Sequence, residues 1–353
     1  MSEKITLENP PTSVVNFNWD EPSSTFKLEK HTPTEDDVPE GHVLVSVQYL
    51  SNDPTQRTWI RADQDPKRSY HPPVQKGAIV ESLGLGEVIA SKSSKYSKGD
   101  VVVGLLGWAK QIVVHEQAIA NKVDTSLGLP LPLYLASLGM TGLTAFFGLT
   151  EVGHIKEGQT VLISAASGAT GSMAVQLAKH VFKASKVFGI AGSDDKCKWV
   201  ESIGADYCAN YKEEGWKKKL SEKIGPDFVD IYFDNVGGEI LDFSLSHVKG
   251  WGRVIACGAI AGYNDTSKAR VNNWFQVISN RLTVQGFIVF DFKDKIPQAV
   301  QAISGALKEG KIKSTEGVSL EDLSDKPFTD VPKVWNRLFT DEKPLGKLVT
   351  KIA

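Results

Sequence analysis

A run of small residues carries the clearest chemical signal in the sequence. Ala165–Gly171 (AASGATG) directly follows the buried-strand pattern Thr160–Ser164 (TVLIS) and opens a stretch with helical spacing of apolar residues. Gly168 and Gly171 take the last two glycine positions of G-x-G-x-x-G, and Ala166 stands at the first. Small residues at these positions let the backbone approach a pyrophosphate that lies at a helix N-terminus. The segment therefore predicts a dinucleotide-binding loop.

The next strand pattern, Lys186–Ala191, indicates which dinucleotide the loop receives. An acidic residue at the end of this strand would accept hydrogen bonds from the ribose 2′-hydroxyl of NAD. The chain has Gly192 and Ser193 there, and Lys196 follows one turn into the next helix. A small residue and a cation favour a 2′-phosphate, and hence NADPH. The acidic pair Asp194–Asp195 weakens this choice, although both side chains also suit the first turn of a helix capped by Ser193.

Several common catalytic arrangements are missing from the sequence. The seven histidines show no H-x-x-x-H spacing and no pairing with cysteine, so we predict no metal site. None of the eight tyrosines begins a Tyr-x-x-x-Lys motif, and no Gly-x-Ser-x-Gly elbow is present. The three cysteines, Cys197, Cys208 and Cys257, form no C-x-x-C pair. This pattern favours chemistry in which hydrogen bonds, rather than a metal ion, polarise the substrate.

Polar residues follow two further strand patterns. Asn235 follows the strand Phe228–Asp234, Cys257 follows Gly252–Ala256, and Tyr263 comes six residues later. Ligands of open α/β sheets bind at the carboxyl ends of strands, which favours these three positions. The phenol of Tyr263 can donate a hydrogen bond to a carbonyl oxygen or an enolate, or it can be an ordinary loop tyrosine. Cys257 is better explained as a small packing residue than as a nucleophile, because no histidine stands near it in sequence.

The pattern of apolar residues divides the chain into two kinds of structure. In residues 1–136, short apolar runs such as Val43–Leu50 alternate with turn residues, which predicts a β-barrel or β-sandwich. In residues 137–310, strands such as Leu282–Phe290 alternate with helices such as Ser193–Ile203, which predicts a doubly wound parallel sheet. Residues 311–353 lose this alternation, and we expect them to return to the first domain. The predicted fold class is α/β with a second, β-rich domain.

The composition restricts partners and compartment. The 353 residues include 40 Lys+Arg and 42 Asp+Glu, and a formal net charge of -2 gives no basis for binding nucleic acid or an acidic membrane. Residues 125–150 carry no charge, but four glycines, Pro130 and Pro132 break them into pieces. We therefore expect buried helices at a domain junction rather than a membrane span. Three cysteines and an N-terminus without a signal-peptide pattern favour the cytoplasm.

The motifs, in their order along the chain, resemble those of the zinc-independent medium-chain dehydrogenase/reductases. They run AASGATGSMAVQLAK, GIAGSDDKCKWVESIGAD, NYK, DFVDIYFDNVGGEILD, GWGRVIACGAIAGYN and LTVQGFIV, after a β-rich N-terminal part. The similarity extends over nearly the whole chain and is densest from Gly139 to Val289. More narrowly, the chain resembles the prostaglandin-reductase and plant alkenal double-bond-reductase branch.

The resemblance implies both an architecture and a reaction. A Rossmann domain (137–310) would bind NADP, and a GroES-like catalytic domain would combine residues 1–136 with 311–353. The reaction implied is the NADPH-dependent, zinc-independent reduction of the carbon–carbon double bond of α,β-unsaturated aldehydes or ketones. A hydride would reach the β-carbon, and hydrogen bonding would stabilise the enolate before the α-carbon is protonated. The resemblance also implies a homodimer.

The resemblance further assigns residues to the cofactor. Lys196 and Tyr211 would meet the adenosine 2′-phosphate. Tyr263 would contact the nicotinamide ribose and the substrate oxygen, and it is the expected catalytic residue. The expected cofactor-binding residues are Ser167, Gly168, Ala169, Thr170, Gly171, Gly192, Lys196, Tyr211, Asn235, Cys257, Tyr263, Phe287 and Val289.

Two positions depart from the pattern of this branch. The branch reads Asp-Pro-Tyr-Met-Arg where this chain has Asp53–Arg57 (DPTQR), so Thr55 replaces a tyrosine that borders the substrate pocket. The terminal Asn-x-Gly-Lys becomes Pro344–Lys347 (PLGK), which removes one amide near the cofactor. We expect Asn52, Thr55 and Tyr263 in the substrate pocket. Two alternatives stay open: an NADPH-dependent carbonyl or quinone reductase, and a non-catalytic NADPH-binding protein on the same fold.

Overall fold

The computed structural model describes residues 2–313 and 315–353 and divides the chain into two compact units. The first unit contains the residues up to Leu135, together with Ser319–Pro344 and Leu348–Ala353. The second unit contains Ala136–Val318 and Leu345–Lys347. The sequence pattern places the return to the first domain at residue 311, whereas the contacts place it after Val318 and assign three residues of the tail to the second unit.

Strands and helices alternate regularly only in the second unit. The strands are β1 (Glu3–Leu7), β2 (Phe26–Lys30), β3 (His42–Ser51), β4 (Leu83–Ser91), β5 (Val101–Leu105), β6 (Gln111–His115), β7 (Ile119–Lys122), β8 (Thr160–Ile163), β9 (Lys186–Ala191), β10 (Tyr207–Asn210), β11 (Val229–Asp234), β12 (Val248–Ala256), β13 (Thr283–Gly286), β14 (Val318–Asp322) and β15 (Lys347–Lys351). The helices are α1 (Gln56–Trp59), α2 (Met140–Phe147), α3 (Ala169–Gln176), α4 (Asp194–Ser202), α5 (Trp216–Ile224), α6 (Gly238–Leu245), α7 (Phe275–Ser279), α8 (Ile296–Lys308) and α9 (Val331–Asn336). Both α2 and α3 continue through one wider turn, to Val152 and Val181.

The first unit is built around a sheet with antiparallel pairings. Over the described residues its strands run in the order β14-β15-β3-β4-β5-β7, and β6 also pairs with β3. In the register of β3 with β4, Val43 lies opposite Ser91. Buried aromatic rings fill the core, where Trp108 and Trp335 meet edge to face with 5.9 Å between ring centroids. The β-rich domain predicted from the sequence is confirmed.

The second unit contains a parallel sheet, which over the described residues has the strand order β10-β9-β8-β11-β12-β13. Its central strands are apolar runs, and β8 (TVLI), β9 (KVFGIA) and β11 (VDIYFD) are buried along most of their length. Such burial is typical of a sheet covered on both faces. The chain runs from β8 outward to β10 and then adds β11 on the other side of β8, so the strand order reverses between β8 and β11. Open α/β sheets bind ligands at such a switch point, and the predicted doubly wound fold is confirmed.

The strand predicted over Leu282–Phe290 is shorter in the structure than its apolar run suggests. Leu282–Phe290 was expected to be extended throughout, but β13 ends at Gly286 and a 3-10 helix begins at Val289. The physical reason is a helix cap, because Ile288 N donates to the Asp291 carboxylate at 2.9 Å. A capping acid therefore overrides the apolar pattern.

The uncharged residues 125–150 fold into several short helices. Leu131–Leu135 is a 3-10 turn, and α2 follows with Leu143, Phe146 and Phe147 buried. Within the described residues, no helix has both the length and the apolar character needed to span a bilayer.

Candidate active site

The small-residue loop Ala165–Gly171 turns sharply from β8 into α3. Ala165 has a left-handed backbone conformation (φ 45°), and its carbonyl accepts a hydrogen bond from Gly168 N at 2.9 Å. Gly168 is the extended N-cap residue, so the first turn of the helix begins at Ala169. A Cβ on Gly171 would lie 2.2 Å from the Ala165 carbonyl oxygen, so only glycine fits there. Because N–H groups at the start of a helix have no acceptor within it, this turn can hold a phosphate.

The C-terminal tail packs against this loop. Gly346 N donates to the carbonyl of Ser167 at 2.8 Å, and Gly346 forms a parallel bridge with Gly168. Gly346 has a φ of 62°, and a Cβ there would lie 2.1 Å from the Gly317 carbonyl oxygen. The tail therefore supports the loop at a position where only glycine fits.

The end of β9 carries the residues that the sequence predicts at the adenosine 2′-phosphate. The ring of Tyr211 lies over Gly192, where an added Cβ would be 3.1 Å from the Tyr211 hydroxyl oxygen. Tyr211 N donates to the carbonyl of Ala191 at 2.9 Å. Lys196 is half-buried in the first turn of α4, and its N–H donates to the hydroxyl of the N-cap residue Ser193 at 3.3 Å. One strand end thus carries Gly192, Tyr211 and the turn that contains Lys196.

The two acidic residues of this turn have other partners. Asn210 Nδ2 donates to the carboxylate of Asp194 at 2.8 Å. Asp195 exposes 95% of its side chain and pairs with Lys198 at 3.5 Å. Gly192 occupies the position where a carboxylate would accept the 2′-hydroxyl of NAD. The strand end at Gly192 thus offers no carboxylate to a ribose 2′-hydroxyl.

Side chains join the ends of β8 and β11 at the switch point. Asn235 donates to Ser164 twice, from Nδ2 to the carbonyl oxygen at 2.8 Å and from the backbone N to Oγ at 2.9 Å. The buried carboxylate of Asp234 accepts from Ser164 Oγ at 3.2 Å and from Tyr232 Oη at 2.7 Å. Burial raises the pKa of Asp234, and a hydrogen bond from Gly237 N opposes that shift. These contacts hold Asn235 at the carboxyl-terminal edge of the sheet.

The loop after β12 packs on the end of β11. Gly258 N donates to the carbonyl of Asp234 at 3.1 Å. The hydroxyl of Tyr263 accepts from Ala259 N at 3.5 Å. A Cβ on Gly258 would lie 3.2 Å from the Asn235 carbonyl oxygen and 3.5 Å from the Tyr263 hydroxyl oxygen. The structure therefore brings Asn235 and Tyr263 together beside Gly258.

Three further candidate residues are apolar packing positions. Burial raises the pKa of the Cys257 thiol to about 12, so the thiol is neutral near neutral pH. The ring of Phe287 packs against the helical segment after α2, where a Cβ on Gly148 would lie 3.1 Å from it. Val289 is buried at the start of a 3-10 helix. These side chains can form an apolar wall, and the raised pKa makes the Cys257 thiol a poor nucleophile.

Asn52 and Thr55 belong to the first unit. Asn52 is 2% exposed, and its Nδ2 donates to Thr350 Oγ1 at 2.9 Å. The hydroxyl of Thr55 meets the hydroxyl of Tyr70, which also accepts from Trp59 Nε1 at 3.0 Å. Asn52 thus anchors β15, whereas half-buried Thr55 and exposed Tyr70 present hydroxyl groups.

Four residues of these arrangements were not candidates from the sequence. Ser164 and Asp234 had a usable signal, because each is a polar residue at the end of an otherwise buried strand pattern. Tyr70 had no local signal, since tertiary structure alone brings it to Thr55, whereas Gly346 lies in the tail motif that the resemblance places near the cofactor.

A glycine-containing strand–helix turn and polar strand ends at the switch point of a doubly wound sheet are the features of a nucleotide-binding α/β fold. Across residues 2–313 and 315–353, no three His, Cys, Asp or Glu side chains come together in a way that could hold a metal ion.

Comparisons with known proteins define the family. Residues 169–305 match the family model described as zinc-binding dehydrogenase, and residues 6–122 match the N-terminal domain of oxidoreductase. The chain is 34% identical to 2-alkenal reductase (NADP(+)-dependent) of Nicotiana tabacum, over 90% of this chain and 92% of that protein. It is also 34% identical to prostaglandin reductase 1 of Bos taurus, over 88% and 90%. The crystal structure of CurA in complex with NADPH, from Vibrio vulnificus, has a TM-score of 0.85 at 27% identity and covers 99% of both chains.

The chain belongs to the medium-chain dehydrogenase/reductase superfamily and, within it, to the prostaglandin-reductase and alkenal-reductase branch.

Proposed function

We propose that this protein reduces the carbon–carbon double bond of α,β-unsaturated aldehydes and ketones with NADPH and without zinc. The chain is an NADP(H)-dependent oxidoreductase of the broad alkenal and enone reductase type. One observation carries the proposal that the carbon–carbon double bond is reduced. The Tyr263 hydroxyl lies beside Asn235, at strand ends in the same unit as the small-residue loop Ala165–Gly171. A relative named for 2-alkenals supports the choice of a conjugated double bond. Product analysis with an alkenal, a ketone and a quinone tests it.

The second unit holds the cofactor along the carboxyl ends of its strands. Gly171 allows the tight turn into α3, whose first N–H groups can bind a pyrophosphate, and Gly192 places no carboxylate at the end of β9 to repel a 2′-phosphate. We assign the pyrophosphate to Ser167, Gly168, Ala169, Thr170 and Gly171. We assign the 2′-phosphate end to Gly192, Lys196 and Tyr211, and the nicotinamide half to Asn235, Cys257, Tyr263, Phe287 and Val289.

Tyr263 is the residue that we assign to catalysis. Its O–H donates a hydrogen bond to the substrate carbonyl oxygen, which draws electron density from the conjugated bond and leaves the β-carbon electrophilic. When bound, NADPH supplies the hydride that this carbon receives. The same O–H stabilises the negative charge that develops on the substrate oxygen before the α-carbon takes a proton. Within the first unit, Thr55 and Tyr70 offer hydroxyl groups and Asn52 holds β15, and we propose Asn52 and Thr55 as substrate-binding residues.

Tyr263→Phe compares the catalytic role of the Tyr263 hydroxyl with its role in cofactor binding. The variant loses one neutral hydrogen-bond donor, and since such a bond contributes about 0.5–1.5 kcal/mol, we expect kcat to fall by about two- to tenfold. The Kd of NADPH should change by less than about threefold, a difference well under 1 kcal/mol. Steady-state kinetics with an alkenal and NADPH titration by fluorescence measure the two quantities. If only the NADPH affinity falls and kcat does not, Tyr263 has no catalytic role.

Zinc independence can be tested by removing metal ions. Because we assign carbonyl polarisation to a hydrogen bond, dialysis against a strong chelator should leave kcat/KM within about twofold of its starting value. Activity that disappears and returns only when Zn²⁺ is added back would overturn this part of the proposal.

We further propose that the protein is a cytoplasmic homodimer. In the described sheet order β13 is an edge strand, and an exposed edge can pair with a second copy about a two-fold axis. Trp251 on β12 and Phe275 and Ile278 on α7 expose large apolar side chains. The three cysteines are free thiols, which suits a reducing compartment. Sedimentation velocity should give the mass of a dimer, and a monomer at micromolar concentration would contradict the pairing.

A further inference from the structure

The second unit buries a carboxylate at the last position of β11. Asp234 is 2% exposed, and its oxygens accept hydrogen bonds from Tyr232 Oη at 2.7 Å and Ser164 Oγ at 3.2 Å. The peptide N–H groups of Val236 and Gly237 donate to it at 3.1 and 3.0 Å. A buried carboxylate is costly unless its oxygens are satisfied, so these four donors fix its position closely.

Ser164 extends this network to the neighbouring strand. Its hydroxyl donates to Asp234 and accepts from Asn235 N at 2.9 Å, while its carbonyl accepts from Asn235 Nδ2 at 2.8 Å. The ends of β8 and β11 are therefore tied by side chains at the switch point, and the amide of Asn235 is held in one orientation.

The backbone of the same segment fixes the end of β12. The carbonyl of Asp234 accepts from Gly258 N at 3.1 Å, and the carbonyl of Val236 accepts from Ala261 N at 3.1 Å. Both bonds anchor the loop that leads to Tyr263, whose hydroxyl oxygen lies 3.5 Å from an added Cβ on Gly258. One buried network thus determines where Asn235 and Tyr263 lie.

We propose that Asp234 and Ser164 are positioning residues for the nicotinamide half of NADPH. Ser164 holds Asn235 directly, the Asp234 carboxylate holds Ser164, and the backbone carbonyl of Asp234 holds the loop that leads from β12 to Tyr263. The inference rests on the proposed function. The adenosine half is assigned to the end of β9, around Lys196, where none of these hydrogen bonds is made. Loss of either positioning residue should therefore weaken one half of the cofactor site and spare the other.

Ser164→Ala and Asp234→Asn test this selectivity with small changes in volume. We expect each to raise the Kd of NADPH about tenfold, as loss of one hydrogen bond to a charged group implies. The Kd of 2′,5′-ADP, which carries the adenosine half and its 2′-phosphate but no nicotinamide, should stay within about twofold. We also expect a lower kcat and a larger primary isotope effect with stereospecifically deuterated NADPH, because hydride transfer becomes more rate-limiting.

Ser221→Ala is the matched control. Its hydroxyl lies on α5 and meets His247 Nε2 at 2.7 Å, so the variant also loses a serine hydrogen bond but none at the strand ends. Neither Kd should change in this control. If Asp234→Asn does not fold, the experiment can still be made with Ser164→Ala, because that variant retains the Asp234 carboxylate and the other three donors to it.

The outcomes separate this inference from the proposed function. Equal weakening of NADPH and 2′,5′-ADP would show a general loss of structure and overturn the positioning role, and so would unchanged NADPH affinity in both variants. A wild-type protein that binds neither NADPH nor 2′,5′-ADP would instead contradict the proposed function itself.

Discussion

Gly171→Ala is expected to lower NADPH affinity about 100-fold. The added methyl group would lie 2.2 Å from the carbonyl oxygen of Ala165 and 2.9 Å from the carbonyl carbon, and neither backbone atom can rotate away. The loop or the first turn of α3 must move, and the N–H groups assigned to the pyrophosphate move with it. Two lost charge-assisted hydrogen bonds, each contributing about 1.5 kcal/mol, correspond to roughly this factor.

Fluorescence titration with NADPH measures the effect of Gly171→Ala, and Gly305→Ala is its control. Gly305 lies inside α8, and an added Cβ there meets no atom within 4 Å. The control should bind NADPH like the wild type and should be slightly more stable, because alanine favours a helix over glycine. Gly171→Ala with wild-type affinity would mean that this loop does not receive the pyrophosphate.

Lys196→Ala should weaken NADPH by about 10- to 100-fold, because a charge-assisted contact with a phosphate contributes about 1.5–3 kcal/mol. NADH has a hydroxyl where NADPH carries the 2′-phosphate, so its affinity should change by no more than about twofold. The ratio of the two Kd values, measured on the same protein preparation, isolates the phosphate contact from any general damage to α4.

Lys198→Ala provides the comparison on the same helix. Lys198 is largely exposed and pairs with Asp195 at 3.5 Å, so its removal leaves the end of β9 unchanged. We expect both affinities to be preserved in this variant. Equal weakening of NADPH and NADH by Lys196→Ala would show that Lys196 does not contact the 2′-phosphate.

Local sequence patterns were sufficient to predict both architectures. The apolar runs of β8, β9 and β11 are continuous because both faces of a parallel sheet are buried, and this pattern predicts a doubly wound fold without tertiary information. Ser193 was recognisable as an N-cap because a hydroxyl before an acidic helical turn satisfies an unpaired N–H, and the structure has that bond at 3.3 Å.

Other features depend on contacts between distant parts of the chain, which local patterns do not encode. Gly346 reaches Ser167 only because the tail returns to the second unit after residues 319–344 have joined the first. Tyr70 meets Thr55 across a loop. Asp234 was visible as a polar strand end, but its role depends on Ser164, which stands 70 residues earlier in the chain. The assignment of residues to the cofactor and substrate stays a prediction.

The most direct test of the proposed function is the identity of the product. Purified protein and NADPH should be incubated with matched concentrations of an alkenal, a saturated ketone and a quinone, with NADPH oxidation followed by absorbance and products identified by mass spectrometry. We expect the fastest oxidation with the alkenal and a saturated aldehyde as its product, with deuterium from labelled NADPH on the β-carbon. An allylic alcohol, turnover restricted to the ketone or quinone, or no turnover despite tight NADPH binding would contradict it.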